Sequence, residues 1–215
     1  MNSDLIAGVS VIYQSAIRIE SDKVIYFDPL EIKEETHDAD IIFITHDHHD
    51  HFSPEDISKV RKADTQIVVP ERLEERTLKL EFAPENVHTV AAGQTKEMDG
   101  LMFETVAAYN NQKSFHPKES GWVGYIVNIK GVRYYIAGDT DMTEENRKVR
   151  CDVAFIPIGG TYTMDPKEAA ELVNVIKPQV AVPIHYGSIV GKKEDAGEFK
   201  KYLLPDIDCE FLMQF

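Results

Sequence analysis

Cysteine is nearly missing from this chain. Two residues, Cys151 and Cys209, among 215 cannot build a disulfide framework, so the fold must rest on a hydrophobic core. Both lie in apolar stretches and read as buried thiols. A run of about eighteen apolar residues is also missing, which excludes a membrane-crossing helix. The opening Met1-Asn2-Ser3-Asp4 has neither the basic region nor the apolar core of a signal peptide, so a cytoplasmic protein is expected. Positive charge is scarce: 23 Lys and Arg stand against 37 Asp and Glu, a net charge of −14. Nucleic acid needs a basic face, so the expected partner is a small molecule, with neither nucleic acid nor a membrane. Gly/Ser-rich linkers, low-complexity tracts and clear repeats are missing too, which predicts one domain over residues 1–215. No Gly-x-Ser-x-Gly element offers an activated serine. Nothing in the sequence fixes the oligomeric state, and self-association stays open.

What is present is histidine, and it is concentrated. Four of the eight histidines fall in Thr45-His46-Asp47-His48-His49-Asp50-His51. The apolar run Ile41-Ile42-Phe43-Ile44 before it is short and β-branched, as in a buried strand. Ser53-Pro54-Glu55-Asp56 after it is a helix start, with Ser53 as N-cap and Pro54 at the first helical position. A loop between a strand end and a helix start faces outward at a sheet edge. In extended chain, His46 and His48 can point to the same side, and Asp50 and His51 can approach from another direction. Neutral imidazole and carboxylate are ligands for zinc and neighbouring metals. The four groups can serve one metal or be shared between two.

The rest of the chain supplies strands and helices in alternation. Residues 9–13, 16–20 and 24–27 read as a β-meander that ends at Asp28-Pro29. Asp28 either lies near the cluster or forms a plain turn, and is not assigned as a ligand. The motif helix is expected over 54–62, a strand over 66–70, an amphipathic helix over 71–82 and a strand over 87–90. His88 reads as structural and His37 as solvated. Further strands are expected over 101–108, 122–129 and 132–137, the last two as a hairpin about Lys130-Gly131. The stretch 109–121 reads as a loop. A helix from Thr143, a strand at 153–157, a helix capped by Asp165 and Glu168, a strand at 180–184, a polar helix and a strand over 209–212 close the chain. Two packed sheets with helices outside fit this order better than one parallel sheet. Gly138-Asp139-Thr140-Asp141 and Pro183-Ile184-His185 each place a candidate ligand at a strand end. One carboxylate can reach two metals through its two oxygens.

His46-x-His48-x-Asp50-His51 resembles the H-x-H-x-D-H signature of the metallo-β-lactamase superfamily. Gly138-Asp139-Thr140 resembles its bridging aspartate, and Pro183-Ile184-His185-Tyr186-Gly187 its last metal histidine. The resemblance implies an α+β fold, the αββα four-layer sandwich of two mixed β-sheets with helices on the outside. It implies a metal-dependent hydrolase with two divalent ions, zinc first and Mn²⁺ or Fe²⁺ as alternatives. The implied metal ligands are His46, His48, Asp50, His51, His116, Asp139 and His185. His46, His48 and His116 take one ion, Asp50, His51 and His185 the other, and Asp139 bridges. Asp141 is expected to support the site. The family usually has a histidine at the position held here by Asn110, and Tyr109-Asn110 followed by Phe115-His116-Pro117-Lys118 resembles a prokaryotic branch known as metal-dependent hydrolases. His116 is therefore expected to replace the missing imidazole. The chain's start also departs. A branch that includes ascorbate-6-phosphate lactonases has Gly-His-Ala-Ser where this chain has Ile12-Tyr13-Gln14-Ser15, so no role passes to an early histidine.

The implied reaction is hydrolysis of an ester, lactone, amide or phosphodiester of a small molecule by metal-activated hydroxide, with Asp50 as the catalytic carboxylate. Pocket walls are expected from residues 109–121, 159–164 and 186–191. Lys113 and Lys118 either meet an anionic group or are solvated. The rival readings are an iron redox enzyme on the same fold, which tends to be acidic where this chain has His48, a nuclease, and a non-catalytic metal-binding protein.

Overall fold

A computed structural model describes residues 3–215; Met1 and Asn2, part of the N-terminal stretch read above, lie outside the described residues. The first sheet has β1 (Val9–Tyr13), β2 (Ala16–Glu20), β3 (Val24–Phe27), β4 (Ala39–Phe43), β5 (Arg61–Pro70) and β6 (Val87–Val90), in that spatial order. Helices α1 (Pro54–Val60) and α2 (Glu74–Leu78) fall within this half. β1 to β3 form the expected antiparallel meander, and β3 to β6 pair in parallel. The second half repeats the plan. β7 (Thr95–Met98), β8 (Leu101–Ala107), β9 (Val123–Ile129) and β10 (Val132–Ile136) are antiparallel neighbours. β11 (Val153–Pro157), β12 (Val180–Ile184) and β13 (Asp208–Cys209) then join in parallel, with α3 (Pro166–Ile176) and α4 (Asp195–Tyr202) in the connections.

Alternation along the strands creates the layers. In β4 and just after it, Ile41 and Phe43 belong to the core that includes the second sheet. Ile42 and Ile44 belong to a second cluster with Ile57 and Val60 of α1. Successive residues point to opposite faces, so a strand apolar at every position is buried on both. On the other side α3 buries Ala169, Ala170, Leu172, Val173 and Ile176, a helical-period stripe. The result is the αββα sandwich of two mixed sheets with helices outside. At its centre Phe43 stacks on Phe27 at 5.1 Å and meets Phe103 at 5.2 Å and Tyr125 at 4.9 Å across the inter-sheet gap.

Local signals account for most elements. The Ser53 side chain accepts from the Asp56 N–H, as an N-cap should, and the Asp165–Glu168 capping box is complete. Lys130 and Gly131 both have positive φ, 53° and 86°, the pair that a two-residue type I′ hairpin requires. Several boundaries differ from the sequence reading. α1 ends at Val60, and β5 begins at Arg61; the Thr65 hydroxyl takes the Lys62 N–H and donates to the Ala39 carbonyl, drawing this chain onto β4. The helix expected over 71–82 is a 3₁₀ turn followed by five residues of α2. The helix expected from Thr143 is only a 3₁₀ turn at Asn146–Lys148. There Thr143 and Asn146 exchange side-chain bonds with each other's backbone N–H, an alternative to helical pairing. β7 escapes notice in the sequence because Thr95-Lys96-Glu97-Met98 is polar and half exposed. The last strand is Asp208–Cys209, with Met213 bridging to Val11. Cys151 and Cys209 are unpaired and half-buried, and burial pushes both thiols up to about 12.

Phe43 joins both sheets, so Phe43→Ala is expected to cost about 3–5 kcal/mol through lost burial and the cavity left behind, read as a lower urea midpoint with unchanged slope.

Candidate metal centre

Every candidate ligand follows the carboxyl end of a strand. β4 leads to His46–His51, β8 to Asn110 and His116, β10 to Asp139 and β12 to His185. β8 and β10 both run antiparallel to β9 and therefore parallel to each other, so their carboxyl ends share one edge. Open sheets place ligand sites outside these ends. Gly138 is what lets β10 reach the cluster. Its φ is +65°, and an added Cβ would stand 3.1 Å from the Thr45 Cβ.

The seven residues converge. Three groups have ligand atoms mutually within 4.8 Å: His46, His48 and His116; His46, His51 and Asp139; and Asp50, His51 and His185. Asp139 Oδ1 lies 3.3 Å from His51 Nε2, while Oδ2 lies 3.3 Å from His116 Nε2 and 3.2 Å from His185 Nε2. His46 Nε2 is 3.1 Å from His48 Nδ1, and Asp50 Oδ2 is 3.3 Å from His185 Nε2. Outward contacts fix the rings. His51 Nδ1 is 2.7 Å from Asp28 Oδ2, His46 Nδ1 is 3.0 Å from the Thr45 hydroxyl, and His116 Nδ1 is 2.9 Å from Asn110 Oδ1. The inner atoms His51 Nε2, His116 Nε2 and Asp139 Oδ1 are buried without a hydrogen-bond partner. His185 differs: its Nε2 faces Asp50 and Asp139, and its Nδ1 has no partner.

Charge favours a cation in the middle. Burial raises the Asp139 carboxyl, but His185, His51 and the close approach of His116 outweigh it and hold the group well below its ordinary range. Asp50 is treated alike: burial raises it, while the hydrogen bond to His185 and the charge of His51 bring it to about 2. Both are therefore ligand-ready carboxylates. Burial, then His51, lowers His46 well below the ordinary imidazole value, and burial, then His116, lowers His48. Their lone pairs are free. Burial opposes a proton on His51, but Asp139 and Asp28 raise it well above that value. A bound cation would take the place of the Nε2 proton. Buried, unpartnered donors of these types fit a metal ion.

Asp28 is not in these groups. It is fully buried and accepts from the Thr45 N–H at 2.8 Å, the Thr45 hydroxyl at 2.6 Å and His51. Asn110 also lies outside them and orients His116 instead. Its Oδ1 accepts from the His116 N–H at 3.1 Å, and its Nδ2 donates to Asp141 Oδ1 at 3.1 Å and the Tyr162 carbonyl at 2.9 Å. Those donations fix which end of the amide faces His116. Asp141 thus supports the loop. His88 bonds Gln66 at 2.7 Å on β6, and His37 is exposed and bonds the Arg61 carbonyl; neither joins the cluster. Gln14, next to Tyr13 where the early histidine would stand, braces the last ligand. Its carbonyl accepts from the His185 N–H at 3.0 Å, and its Oε1 accepts from the Ser188 hydroxyl at 2.6 Å.

The three expected wall segments meet at the cluster, contributing Phe115, Tyr162 and Ile189 to a cavity of about 230 Å³. Its floor is His48, Asp50, His116 and Asp139. Neither Lys113 nor Lys118 lines it, and Lys118 is exposed to solvent. Lys113 donates to the Thr163 carbonyl and Asp141, and Lys118 pairs with Glu145 at 2.8 Å. Sequence reasoning missed Trp122, whose ring centroid stands 4.8 Å from that of His48 and 5.0 Å from that of His46. A lone tryptophan at a strand start gave no signal. A larger cavity of about 610 Å³ beside Arg18, Tyr26, Ile32 and Phe215 holds no histidine and is not this centre.

A model of the beta-lactamase superfamily domain matches residues 10–185. A protein of Thermococcus kodakarensis named UPF0173 metal-dependent hydrolase is 33% identical over 207 residues, 90% of each chain. A protein of the same name from Methanopyrus kandleri is 33% identical over 172 residues, 76% of this chain and 74% of its own. Among solved structures, a protein described as a metal-dependent hydrolase from Parabacteroides distasonis aligns with TM-score 0.81 and 29% identity over 96% of this chain and 93% of its own. A metallo hydrolase from Ignicoccus hospitalis aligns with TM-score 0.77 and 22% identity, covering 95% and 94%, a likeness of fold.

His116→Ala is expected to weaken cation binding by the His46–His48–His116 group and to leave the Asp50–His51–His185 group nearly unchanged. Asn110→Ala keeps the three imidazoles and removes the amide that orients His116 and ties it to Asp141 and Tyr162, so a smaller loss of about 10- to 100-fold in affinity is expected at the same group. Calorimetric titration with zinc reads both.

Proposed function

The chain belongs to the metal-dependent hydrolases of the β-lactamase superfamily, and on that premise we propose that it uses two divalent ions, zinc at both positions, to hydrolyse an ester, lactone, amide or phosphodiester of a small molecule. The observation that carries this reading is the division of labour within each ring. His46, His51 and His116 each spend one nitrogen on an outward partner and turn the other towards Asp139 or His48. One ion would be held by His46, His48 and His116, the other by Asp50, His51 and His185, with an oxygen of Asp139 offered to each. When bound, such ions polarise the substrate oxygen and bring the pKa of a coordinated water from 15.7 to about 7.

The chain's own groups then do the rest. Asp50 is ionised and lies on the cavity floor, so it can accept the proton released by the attacking water and return it to the leaving group. Phe115, Tyr162 and Ile189 narrow the opening and exclude bulk water from the reacting atoms. Asp28, Thr45 and Asn110 keep the imidazoles in one tautomer and orientation. The reading takes the protein as cytoplasmic and free of nucleic acid, and the net charge of −14 supports the second of these.

Freshly purified protein supplied with zinc is expected to hold close to two ions per chain, and one or fewer after chelation. Because burial lowers His46 and His48 below the ordinary 6.5, retention by the group that contains them should persist through that pH and fall only on further acidification. Elemental analysis across a pH series, with a turnover screen of neutral esters, lactones and a phosphodiester with and without metal, tests the reading. Protein that retains no metal at neutral pH sinks it. Asp50→Asn is expected to reduce turnover about 100-fold or more, beyond its effect on metal content.

A further inference from the structure

The cavity above the metal centre differs sharply in character between floor and rim. The floor is imidazole and carboxylate. The rim is Phe115, Tyr162 and Ile189, one from each of three loops, with the exposed His49 imidazole beside them. Phe115 and Ile189 are 45% and 44% exposed. A single exposed apolar side chain needs no explanation, but here two face one opening. Phe115 and Tyr162 also meet edge to face, with centroids 4.7 Å apart, which makes a rigid aromatic corner. Tyr162 is itself fixed from behind, because its carbonyl accepts from Asn110 Nδ2. The corner is therefore linked to the residue that orients His116.

The lysines of the 109–121 loop and two arginines that reach its neighbours are engaged elsewhere. Lys113 is held by Asp141 and the Thr163 carbonyl, and Lys118 by Glu145 and Tyr109. Arg72 donates to the Glu119 carbonyl, and Arg76 lies over the Phe52 ring and bonds Asp47. Neither Lys nor Arg lines the cavity, among the described residues. A charged group beyond the scissile bond would lose hydration against Phe115, Tyr162 and Ile189 with no Lys or Arg to pair with, which is unfavourable. An apolar group would cover Phe115 and Ile189 and gain about 25 cal/mol per Å² removed from water. The volume, about 230 Å³, is below the roughly 300–1,000 Å³ of sites for drug-sized ligands. It leaves room for one ring or a short chain beside the reacting group.

We infer that the substrate is a small molecule with an uncharged apolar group, an aryl ring or a short alkyl chain, next to the bond that is cleaved, and that Phe115, Tyr162 and Ile189 select it. This rests on the hydrolase reading above. In the reaction one water is consumed: its hydroxyl joins the carbonyl carbon or phosphorus, the bond to the leaving group breaks, and its remaining proton goes to that group. Substrates that would place a further charge at the rim, beyond the bond that is cleaved, are disfavoured.

The test uses hydroxamates, which bind metal centres without turnover, on zinc-loaded protein of measured metal content. Acetohydroxamate, benzohydroxamate and 4-carboxybenzohydroxamate are titrated by calorimetry and by the fluorescence of Trp122, the chain's single tryptophan, which packs against His46, His48 and His116. Benzohydroxamate should bind about tenfold or more tighter than acetohydroxamate, and tighter than its carboxylated form. Phe115→Ala should remove most of the aryl preference with metal content unchanged. Ile189→Lys, at an exposed position, should reverse the ranking of benzohydroxamate and 4-carboxybenzohydroxamate. Equal binding of the aryl and methyl probes, tighter binding of the carboxylated probe by the parent, or no benzohydroxamate binding to metal-replete protein overturns the inference alone. Protein that holds no metal and binds no hydroxamate overturns the hydrolase reading and the inference with it.

Discussion

The Asp28 carboxylate is the constraint from which the centre is built. It is wholly buried at the end of β3, with φ at +45°, a conformation that aspartate tolerates better than most residues. One oxygen takes the Thr45 N–H, and the other takes the Thr45 hydroxyl and faces His51 Nδ1. Three consequences follow from one group. The ends of β3 and β4 are tied, the Thr45 hydroxyl is turned so that it can accept from His46, and the His51 ring is held with Nε2 inward. A buried ionic contact of this kind contributes little net stability, because desolvation opposes attraction, yet removing one partner costs about 3–5 kcal/mol. Its value here is geometric.

The same device recurs with different chemistry around the cluster. Asn110 does for His116 what Asp28 does for His51, with a neutral amide in place of a carboxylate. Gln14 acts on backbone: it accepts the N–H of His185, whose φ of +56° is an unfavourable conformation for a residue with a side chain. Strain of that kind persists only where surrounding contacts over-determine it, and the Gln14 hairpin supplies one such contact from the opposite sheet. Each half of the sandwich sends ligands from strand carboxyl ends, so the centre exists only when the two sheets pack. Phe43 and Tyr125 mediate that packing directly beneath it, and the Tyr125 hydroxyl donates to the Ile44 carbonyl at 2.7 Å, just before the histidine loop.

Electrostatics separate the floor from the rim. The floor concentrates carboxylates and imidazoles, which a cation would complete. Around the rim the basic side chains are consumed by local pairs. Glu145 shows how completely: Lys118 and, less strongly, the Tyr109 hydroxyl bring its carboxyl to about 2 in spite of partial burial. These pairs order the 109–121 loop and leave Phe115, Tyr162 and Ile189 at the opening with neither Lys nor Arg among the described residues that line it.

Much of this was legible in the residues. The histidine cluster stood between an apolar β-branched run and a capped helix, and both signals are local, so the strand, the N-cap and the outward loop followed from sequence. So did the hairpin at Lys130-Gly131 and the capping box of α3, because each depends on dihedral or hydrogen-bond preferences within a few residues. The candidate ligands came from motifs that resemble those of the family, each at a strand end. The helix expected from Thr143 shrank, since Thr143 and Asn146 bond each other's backbone N–H, and the one expected at 71–82 keeps only five residues of α2. What remained hidden depends on chain segments brought together from afar. Asp28 looked like a turn until β3 and β4 were adjacent. Asn110 looked like a lost ligand until residues 109–116 folded back and placed its amide between His116, Asp141 and Tyr162. Lys113 and Lys118 looked available until their carboxylate partners were in reach. Local preferences thus determined the elements and the chemistry of the donors. Only tertiary packing decided which nitrogen of each ring faces inward, because that is set by hydrogen bonds between residues far apart in the chain.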